Sequence, residues 1–166
     1  MGLSKTGPTI NKGGSKQDYS TPKDFIEAVV SRFGPLAFDL AASADNTKAP
    51  QYFDEEDNAL SRDWSKLEGN LWLNPPFSDI APWAAKCVQT QTAIDVKIDP
   101  SRRILFLVPA SVGSDWYRFY VRDFAYVLAL SPRLKFEGCE DAYPKDCILA
   151  VYGHGFRGFD TWRWKL

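Results

Sequence analysis

Residues 70–77 read Asn-Leu-Trp-Leu-Asn-Pro-Pro-Phe, an apolar run that stops at an asparagine followed by two prolines. Such a run is typical of a buried strand that ends in a loop. Further apolar runs of strand length cover residues 36–40, 103–108, 126–130 and 147–152. Segments with helical spacing separate several of them, and this alternation predicts an α/β fold with a mostly parallel central sheet.

The first helix is predicted over residues 22–33, where apolar side chains recur at helical spacing until Gly34. Thr21 is the predicted N-cap, Pro22 suits the first helical position, and Asp24 lies where a carboxylate favours the exposed amides. Further helices are predicted over about residues 79–91 and 114–122, and a short strand near residues 162–164.

Polar side chains follow two of the predicted strands. Asp39 and Asn74 each lie where a strand ends, and ligands of such sheets bind beyond the carboxyl ends of the strands. The short segment between these two residues leaves little room for a full strand-helix-strand unit. We therefore expect a trimmed sheet with a ligand site at this edge.

The tetrapeptide Asn74-Pro75-Pro76-Phe77 is rich in hydrogen-bond acceptors. Prolines have no backbone N–H but keep their carbonyl oxygens, and Asn74 adds a side-chain carbonyl. An amine could donate one hydrogen to Asn74 and another to the Pro75 carbonyl, which leaves the nitrogen lone pair free to attack. Phe77 offers an aromatic face to a planar ring. These residues suit a flat heterocycle with an exocyclic amine, whereas the structural alternative is a stiff turn with Phe77 in the core.

The composition limits the class of protein. The chain has 166 residues, of which 45% are hydrophobic and 25% charged, which excludes a disordered or coiled-coil chain. We expect a flexible arm over residues 1–18 and one domain over residues 19–166. No apolar run reaches the roughly 18 residues of a membrane span, and the N-terminus lacks a signal-peptide pattern, so a cytoplasmic location is expected.

The cysteines and the histidine argue against several chemistries. Cys87, Cys139 and Cys147 form no C-x-x-C pair and are predicted to be buried or incidental thiols. With one histidine, His154, and no G-x-S-x-G motif, neither a zinc site nor a hydrolase triad is expected. No metal is predicted. The absence of G-x-G-x-x-G also disfavours a dinucleotide oxidoreductase.

More than the tetrapeptide resembles a known family, the short phage DNA N-6-adenine-methyltransferases (Dam-like). The resemblance covers about residues 19–152. It rests on Ser20-Thr21-Pro22, Phe38-Asp39-Leu40-Ala41-Ala42-Ser43, Asp57-Asn58-Ala59-Leu60 with Trp64, Leu71-Trp72-Leu73-Asn74-Pro75-Pro76-Phe77, Leu107-Val108-Pro109-Ala110, Trp116, Arg133-Leu134-Lys135-Phe136 and the late apolar run over residues 147–152. The residues after Asp39 differ from the larger methyltransferase group, because no glycine-rich loop follows the first strand.

The resemblance implies a compact Rossmann-like methyltransferase fold that moves a methyl group from S-adenosylmethionine to adenine N6 in double-stranded DNA. It implies catalytic roles for Asn74, Pro75, Pro76 and Phe77. It also implies a cofactor site of Thr21, Pro22, Asp39, Ala41, Asp57, Leu60 and Asn74, with Asp39 near the methionine part and Asp57 near the adenine or ribose. The family context favours Arg133 and Lys135 as DNA contacts.

The charge pattern adds little about DNA binding. The net charge is −1, but the chain after residue 100 is more basic than the part before it. Phosphate contacts could come from Arg102, Arg103, Arg118, Arg122, Arg133, Lys135, Arg157, Arg163 and Lys165. The recognised sequence and the oligomeric state do not follow from the sequence.

Two alternatives stay open. The Asn-Pro-Pro-aromatic motif also suits a methyltransferase that acts on RNA or on a protein amide. A non-catalytic nucleic-acid-binding module of the same fold is the other alternative, and the missing glycine-rich loop keeps it open. Competition between DNA, RNA and protein substrates would test the first alternative. The affinity for S-adenosylmethionine would test the second.

Overall fold

The computed structural model describes residues 19–93, 99–153, 155 and 157–166. The predicted arm over residues 1–18 and His154 lie outside these ranges. Within them, one sheet contains seven strands: β1 (Leu36–Asp39), β2 (Gln51–Tyr52), β3 (Asn70–Leu73), β4 (Ile104–Pro109), β5 (Ala125–Ser131), β6 (Cys147–Tyr152) and β7 (Gly158–Arg163). Three α-helices accompany the sheet: α1 (Lys23–Phe33), α2 (Ala81–Ala93) and α3 (Asp115–Tyr120).

The sheet is mostly parallel, as predicted. Its strand order is β2-β1-β3-β4-β6-β5-β7. Strand β6 runs antiparallel to both neighbours, β4 and β5, while the other paired strands are parallel. The mixed α/β class is therefore confirmed, and the sheet is compatible with a Rossmann-like fold.

Helix α1 begins one residue later than predicted. Pro22 is its N-cap, and the Pro22 carbonyl accepts hydrogen bonds from the N–H groups of Phe25 and Ile26, both at 3.1 Å. The predicted N-cap role of Thr21 is wrong, because Pro22 occupies the N-cap position and the Thr21 Oγ1 atom accepts from Asn74 Nδ2 instead. Gly34 ends the helix with φ of 93°, a backbone conformation that favours glycine.

Apolar side chains cover both faces of the sheet. Along β4, Ile104, Phe106 and Val108 join the apolar cluster that also contains residues of α2 and α3. Leu105 and Leu107 point the other way, into the cluster that contains residues of α1. Because the sheet is buried on both faces, β4 consists of an unbroken apolar run, and the strand was predicted from that run.

The connection from β1 to β3 contains no α-helix. It holds the two-residue strand β2 and two 3-10 helices, Ala59–Ser61 and Trp64–Lys66. The buried Arg102 fixes the second one, since its guanidinium donates to the carbonyls of Trp64 at 2.8 Å and Ser65 at 3.0 Å. Arg102 is therefore a structural residue and not a phosphate contact, which corrects the sequence-based expectation.

Two of the three cysteines are fully enclosed. Cys87 and Cys147 are buried, as predicted, whereas Cys139 is partly exposed, and all three are free thiols. Burial raises the pKa of the Cys147 thiol to about 12, which keeps it protonated and unreactive near neutral pH. None of the described helices is both long enough and apolar enough to cross a membrane.

Candidate active site

The ends of neighbouring strands bring the predicted site residues to one edge of the sheet. Asp39 is the last residue of β1, and Asn74 directly follows β3, the parallel strand beside it. The pairing continues past the strand end, because the Leu40 N–H donates to the Trp72 carbonyl at 2.9 Å. Asp39 and Asn74 therefore both stand at strand ends on the carboxyl edge of the sheet, the positions that the sequence pattern predicts.

The side-chain amide of Asn74 is oriented by the chain segment that precedes α1. Its Nδ2 atom donates to the Tyr19 carbonyl at 2.8 Å and to the Thr21 Oγ1 atom at 3.0 Å. These two bonds use both amide hydrogens. Among the described residues, no donor forms a hydrogen bond with Asn74 Oδ1. This oxygen is therefore open to accept from an amine. We call Asn74 Oδ1 and the Pro75 carbonyl, the two predicted acceptors, the clamp.

The prolines differ in exposure. Pro75 is buried and Pro76 is exposed, so the turn is anchored on one side and open on the other. Neither residue has an N–H that could satisfy a neighbouring acceptor. The tetrapeptide thus forms an acceptor-rich turn at the carboxyl edge of the sheet.

Phe77 lies in a group of four aromatic rings. Tyr19 stacks on it with 6.0 Å between ring centroids and an interplanar angle of 26°. Phe136 and Tyr143 contact it edge-on, at 6.2 Å and 5.9 Å. Phe77 is partly buried and contributes to the apolar core as well. The ring therefore has a packing role, and its predicted role toward a substrate ring stays a prediction.

Asp39 is buried, with only 3% of its surface exposed. Its carboxylate accepts from the N–H of Ala41 at 3.3 Å and from the N–H of Lys48 at 3.0 Å. Burial raises the pKa of Asp39 to about 6, and these two hydrogen bonds together with the Lys48 charge oppose that rise. The carboxylate thereby fixes the loop that takes the place of a glycine-rich one.

Asp57 follows the short strand β2, next to β1. The chain there is tied to β1, because the Phe53 N–H donates to the Asp39 carbonyl at 2.9 Å. The Asp57 carboxylate accepts from the Asp54 N–H at 3.0 Å and lies 3.5 Å from Nη2 of Arg62. It is partly buried, as is Leu60, which packs against the core. Of the predicted cofactor residues, Asp39 thus ends β1, Asp57 and Leu60 come after β2, and Asn74 follows β3.

A second cluster of polar side chains, not predicted from the sequence, lies beside Asp39. The Lys48 Nζ atom donates to Ser20 Oγ at 2.9 Å and lies 3.6 Å from Glu137 Oε2. Ser20 Oγ donates to Glu137 Oε2 at 2.7 Å. These hydrogen bonds, the Ser20 contact foremost, lower the pKa of Glu137. No sequence motif indicated Lys48 or Glu137.

The two predicted DNA contacts lie in the segment that follows β5. Arg133 is exposed, and its Nε atom donates to Asp146 at 2.7 Å. Lys135 is exposed, with no ion pair to any residue that the structure describes. Phe136, on the same segment, reaches the Phe77 ring, so this segment borders the candidate site. The contact of either cation with DNA stays a prediction.

Comparison with known proteins adds a family assignment. A family model described as DNA N-6-adenine-methyltransferase (Dam) matches residues 9–148. A DNA N-6-adenine-methyltransferase of Escherichia phage T1 is 29% identical over 99 residues, which are 60% of this chain and 38% of the phage protein. The putative methyltransferase YfdM of Escherichia coli strain K12 is 38% identical over 69 residues, which are 39% of this chain and 71% of that protein. The chain therefore matches well under half the length of the phage relative.

Proposed function

The chain belongs to the DNA N-6-adenine-methyltransferase (Dam) family, and on that basis we propose that it transfers a methyl group from S-adenosylmethionine to N6 of adenine in double-stranded DNA. We propose with it a Rossmann-like methyltransferase fold, which the mostly parallel sheet and the position of the site at its carboxyl edge support. The protein would act in the cytoplasm, that of the host cell if a phage encodes it.

The observation that carries the proposal is the orientation of the Asn74 amide. Because Nδ2 donates to Tyr19 and Thr21, Oδ1 is the atom left to accept from a substrate. With the Pro75 carbonyl it would hold the two hydrogens of an exocyclic amine and direct the nitrogen lone pair away from both acceptors. Adenine presents such an amine at N6.

Phe77 would stack on the adenine base after the base is flipped out of the duplex. Flipping is needed because a base that is paired and stacked within the duplex cannot reach the clamp. When bound, S-adenosylmethionine supplies an electrophilic methyl group on a sulfonium, a positively charged sulfur. Asn74 and Pro75 would orient the amine for in-line attack, so that a C–N bond forms as the C–S bond breaks. They would keep N6 hydrogen-bonded until its surplus proton leaves for water. Positioning of this kind supplies much of the rate in such reactions.

The chemistry of the carboxylates fits the cofactor. Asp39 would lie near the methionine part, whose ammonium and sulfonium groups are cationic. Asp57 would accept from the adenine amine or the ribose hydroxyls. Ala41 and Leu60 would line this site beside them. Thr21 and Pro22 would border the methionine end, at the start of α1.

Duplex DNA would contact the segment after β5. Arg133 and Lys135 would meet phosphates there, close to the ring group around Phe77. No metal takes part in the proposed reaction.

The test is methyl transfer to DNA. Purified protein is incubated with unmethylated duplex DNA and isotope-labelled S-adenosylmethionine, and the digested nucleosides are analysed by mass spectrometry. Labelled N6-methyladenine supports the proposal, and mapping the modified sites gives the recognised sequence. Cofactor binding without a methylated base would favour an RNA or protein substrate. Absence of cofactor binding would favour a non-catalytic module.

A further inference from the structure

The segment of residues 19–21, which we call the strap, lies across the carboxyl edge of the sheet before α1. It contacts Asn74 through two oxygen atoms, the Tyr19 carbonyl at 2.8 Å and Thr21 Oγ1 at 3.0 Å. Both are hydrogen-bond acceptors toward the amide. If the Asn74 amide turned over, Oδ1 would face the Tyr19 carbonyl, which cannot donate a hydrogen bond, and only the Thr21 hydroxyl could donate to it.

The strap is itself fixed by groups from distant parts of the chain. The Ser20 carbonyl accepts from the Glu137 N–H at 2.9 Å, and Ser20 Oγ donates to the Glu137 carboxylate at 2.7 Å. Lys48 adds a third bond at 2.9 Å to the same hydroxyl. The Tyr19 ring packs in the aromatic group around Phe77. The two acceptors are therefore held in place independently of Asn74.

Thr21 is the buried member of the pair. Only 1% of its surface is exposed, so water has little access to take over as acceptor if the hydroxyl is removed. The Tyr19 carbonyl alone satisfies one amide hydrogen and cannot secure the second. The side chain of Thr21 thus decides whether both hydrogens of the amide are satisfied.

We infer that Thr21 is a positioning residue for methyl transfer: its hydroxyl oxygen, with the Tyr19 carbonyl, holds the Asn74 amide so that Oδ1 faces the substrate amine. This inference rests on the proposed function. Thr21 would then act on the reaction through Asn74, in addition to its proposed place at the border of the cofactor site.

The test compares Thr21→Val with Thr21→Ser. Valine keeps the shape of threonine but removes the acceptor, while serine keeps the hydroxyl. We expect Thr21→Val to lower kcat roughly 10- to 100-fold, since small misplacements of reacting groups carry losses of that size. The Kd for S-adenosylmethionine should change less than threefold. Thr21→Ser should restore kcat to within about threefold of wild type. Thr90→Val, a buried threonine on α2, is the matched control and should leave kcat unchanged.

A second measurement does not depend on activity. In nitrogen-edited NMR spectra the two side-chain amide protons of Asn74 should exchange slowly with water in wild type and faster in Thr21→Val. Unchanged kcat in Thr21→Val, or an equal loss in Thr21→Ser, would overturn the inference while the proposed function stands. A rise in cofactor Kd that matches the loss of kcat would also overturn it. If wild type methylates no DNA, the proposed function fails, and the NMR result still decides whether Thr21 orients Asn74.

Discussion

The Asp39 carboxylate accepts a hydrogen bond of 3.0 Å from the backbone N–H of Lys48, nine residues further along the chain. Its other oxygen accepts from the Ala41 N–H, so one buried group fixes both ends of the loop after β1. Glycine-rich loops reach such close turns through backbone freedom. Here the loop begins with Ala41, and the Asp39 side chain holds its N–H instead.

This arrangement predicts a pH dependence of stability. The pKa of Asp39 is raised from 3.8 to about 6, so the folded protein keeps a proton that the unfolded chain has already lost. The contribution of Asp39 to the free energy of unfolding should therefore decrease as the pH rises from about 4 to about 6, and stay constant above that. Relative to Asp39→Asn, which does not titrate, wild type should lose on the order of 3 kcal/mol across this window. Urea unfolding at several pH values measures the free energy of unfolding of wild type minus that of Asp39→Asn. An increase of this value with pH would contradict the assignment.

Replacement of Asn74 separates catalysis from cofactor binding. We expect Asn74→Ala to abolish methyl transfer, because the clamp loses Oδ1, while the Kd for S-adenosylmethionine changes only a few-fold. Stability should fall by about 1–2 kcal/mol, since the Tyr19 carbonyl and the Thr21 hydroxyl lose their donor. Gln89→Ala removes an exposed amide on α2 and is the control. Retained turnover in Asn74→Ala would rule out the clamp.

Phe77 is expected to support the flipped base. Duplex DNA with 2-aminopurine at the target position should fluoresce on binding to wild type, and Phe77→Ala should weaken that signal and raise the KM for DNA. Phe159→Ala, on the edge strand β7, removes an aromatic ring that is 58% exposed and should change neither value. A normal fluorescence signal in Phe77→Ala would assign the ring to packing alone.

The basic residues after β5 should differ in their effect on DNA affinity. Lys135→Ala should weaken DNA binding. It should also lower the salt dependence of the DNA affinity by the equivalent of about one released counterion. Arg133→Ala should have the smaller effect, because its charge is already balanced by Asp146 at 2.7 Å. Titrations of a fluorescent duplex at several salt concentrations give both slopes. Lys66→Ala, in the 3-10 helix before β3, is the control, and an equal loss there would show that the effect is unspecific.

Most of the secondary structure could be predicted because apolar runs and turn residues mark it locally. The limits of β6 agree with the sequence pattern, whereas α2 lies two residues later than expected. Strand β2 was missed, since two residues pairing with the end of β1 leave no hydrophobic period. The direction of β6 was not predicted either, because an apolar run looks the same whichever way the strand points.

The position of the candidate site in the fold could be predicted only from residues that stand at strand ends. Asn74 and Asp39 stand at strand ends, a position that the sequence pattern reveals. The partners of Asn74 do not follow from spacing, since Tyr19 and Thr21 are more than 50 residues away. Thr21 shows the difficulty directly: its neighbours suggest a helix cap, but the folded chain uses its hydroxyl to bind an amide.

Among the described strands, β6 alone runs antiparallel to its neighbours, and its position affects the order in which the sheet can be completed. Strand β6 lies between β4 and β5, and it joins β5 and β7 to the rest of the sheet. During translation, we expect β4 to remain an open, apolar sheet edge until residues 147–152 have left the ribosome. Such edges attract other chains. We therefore expect closure of this sheet to be a late, long-range step of folding, and chains that stop short of β6 to expose an apolar sheet edge.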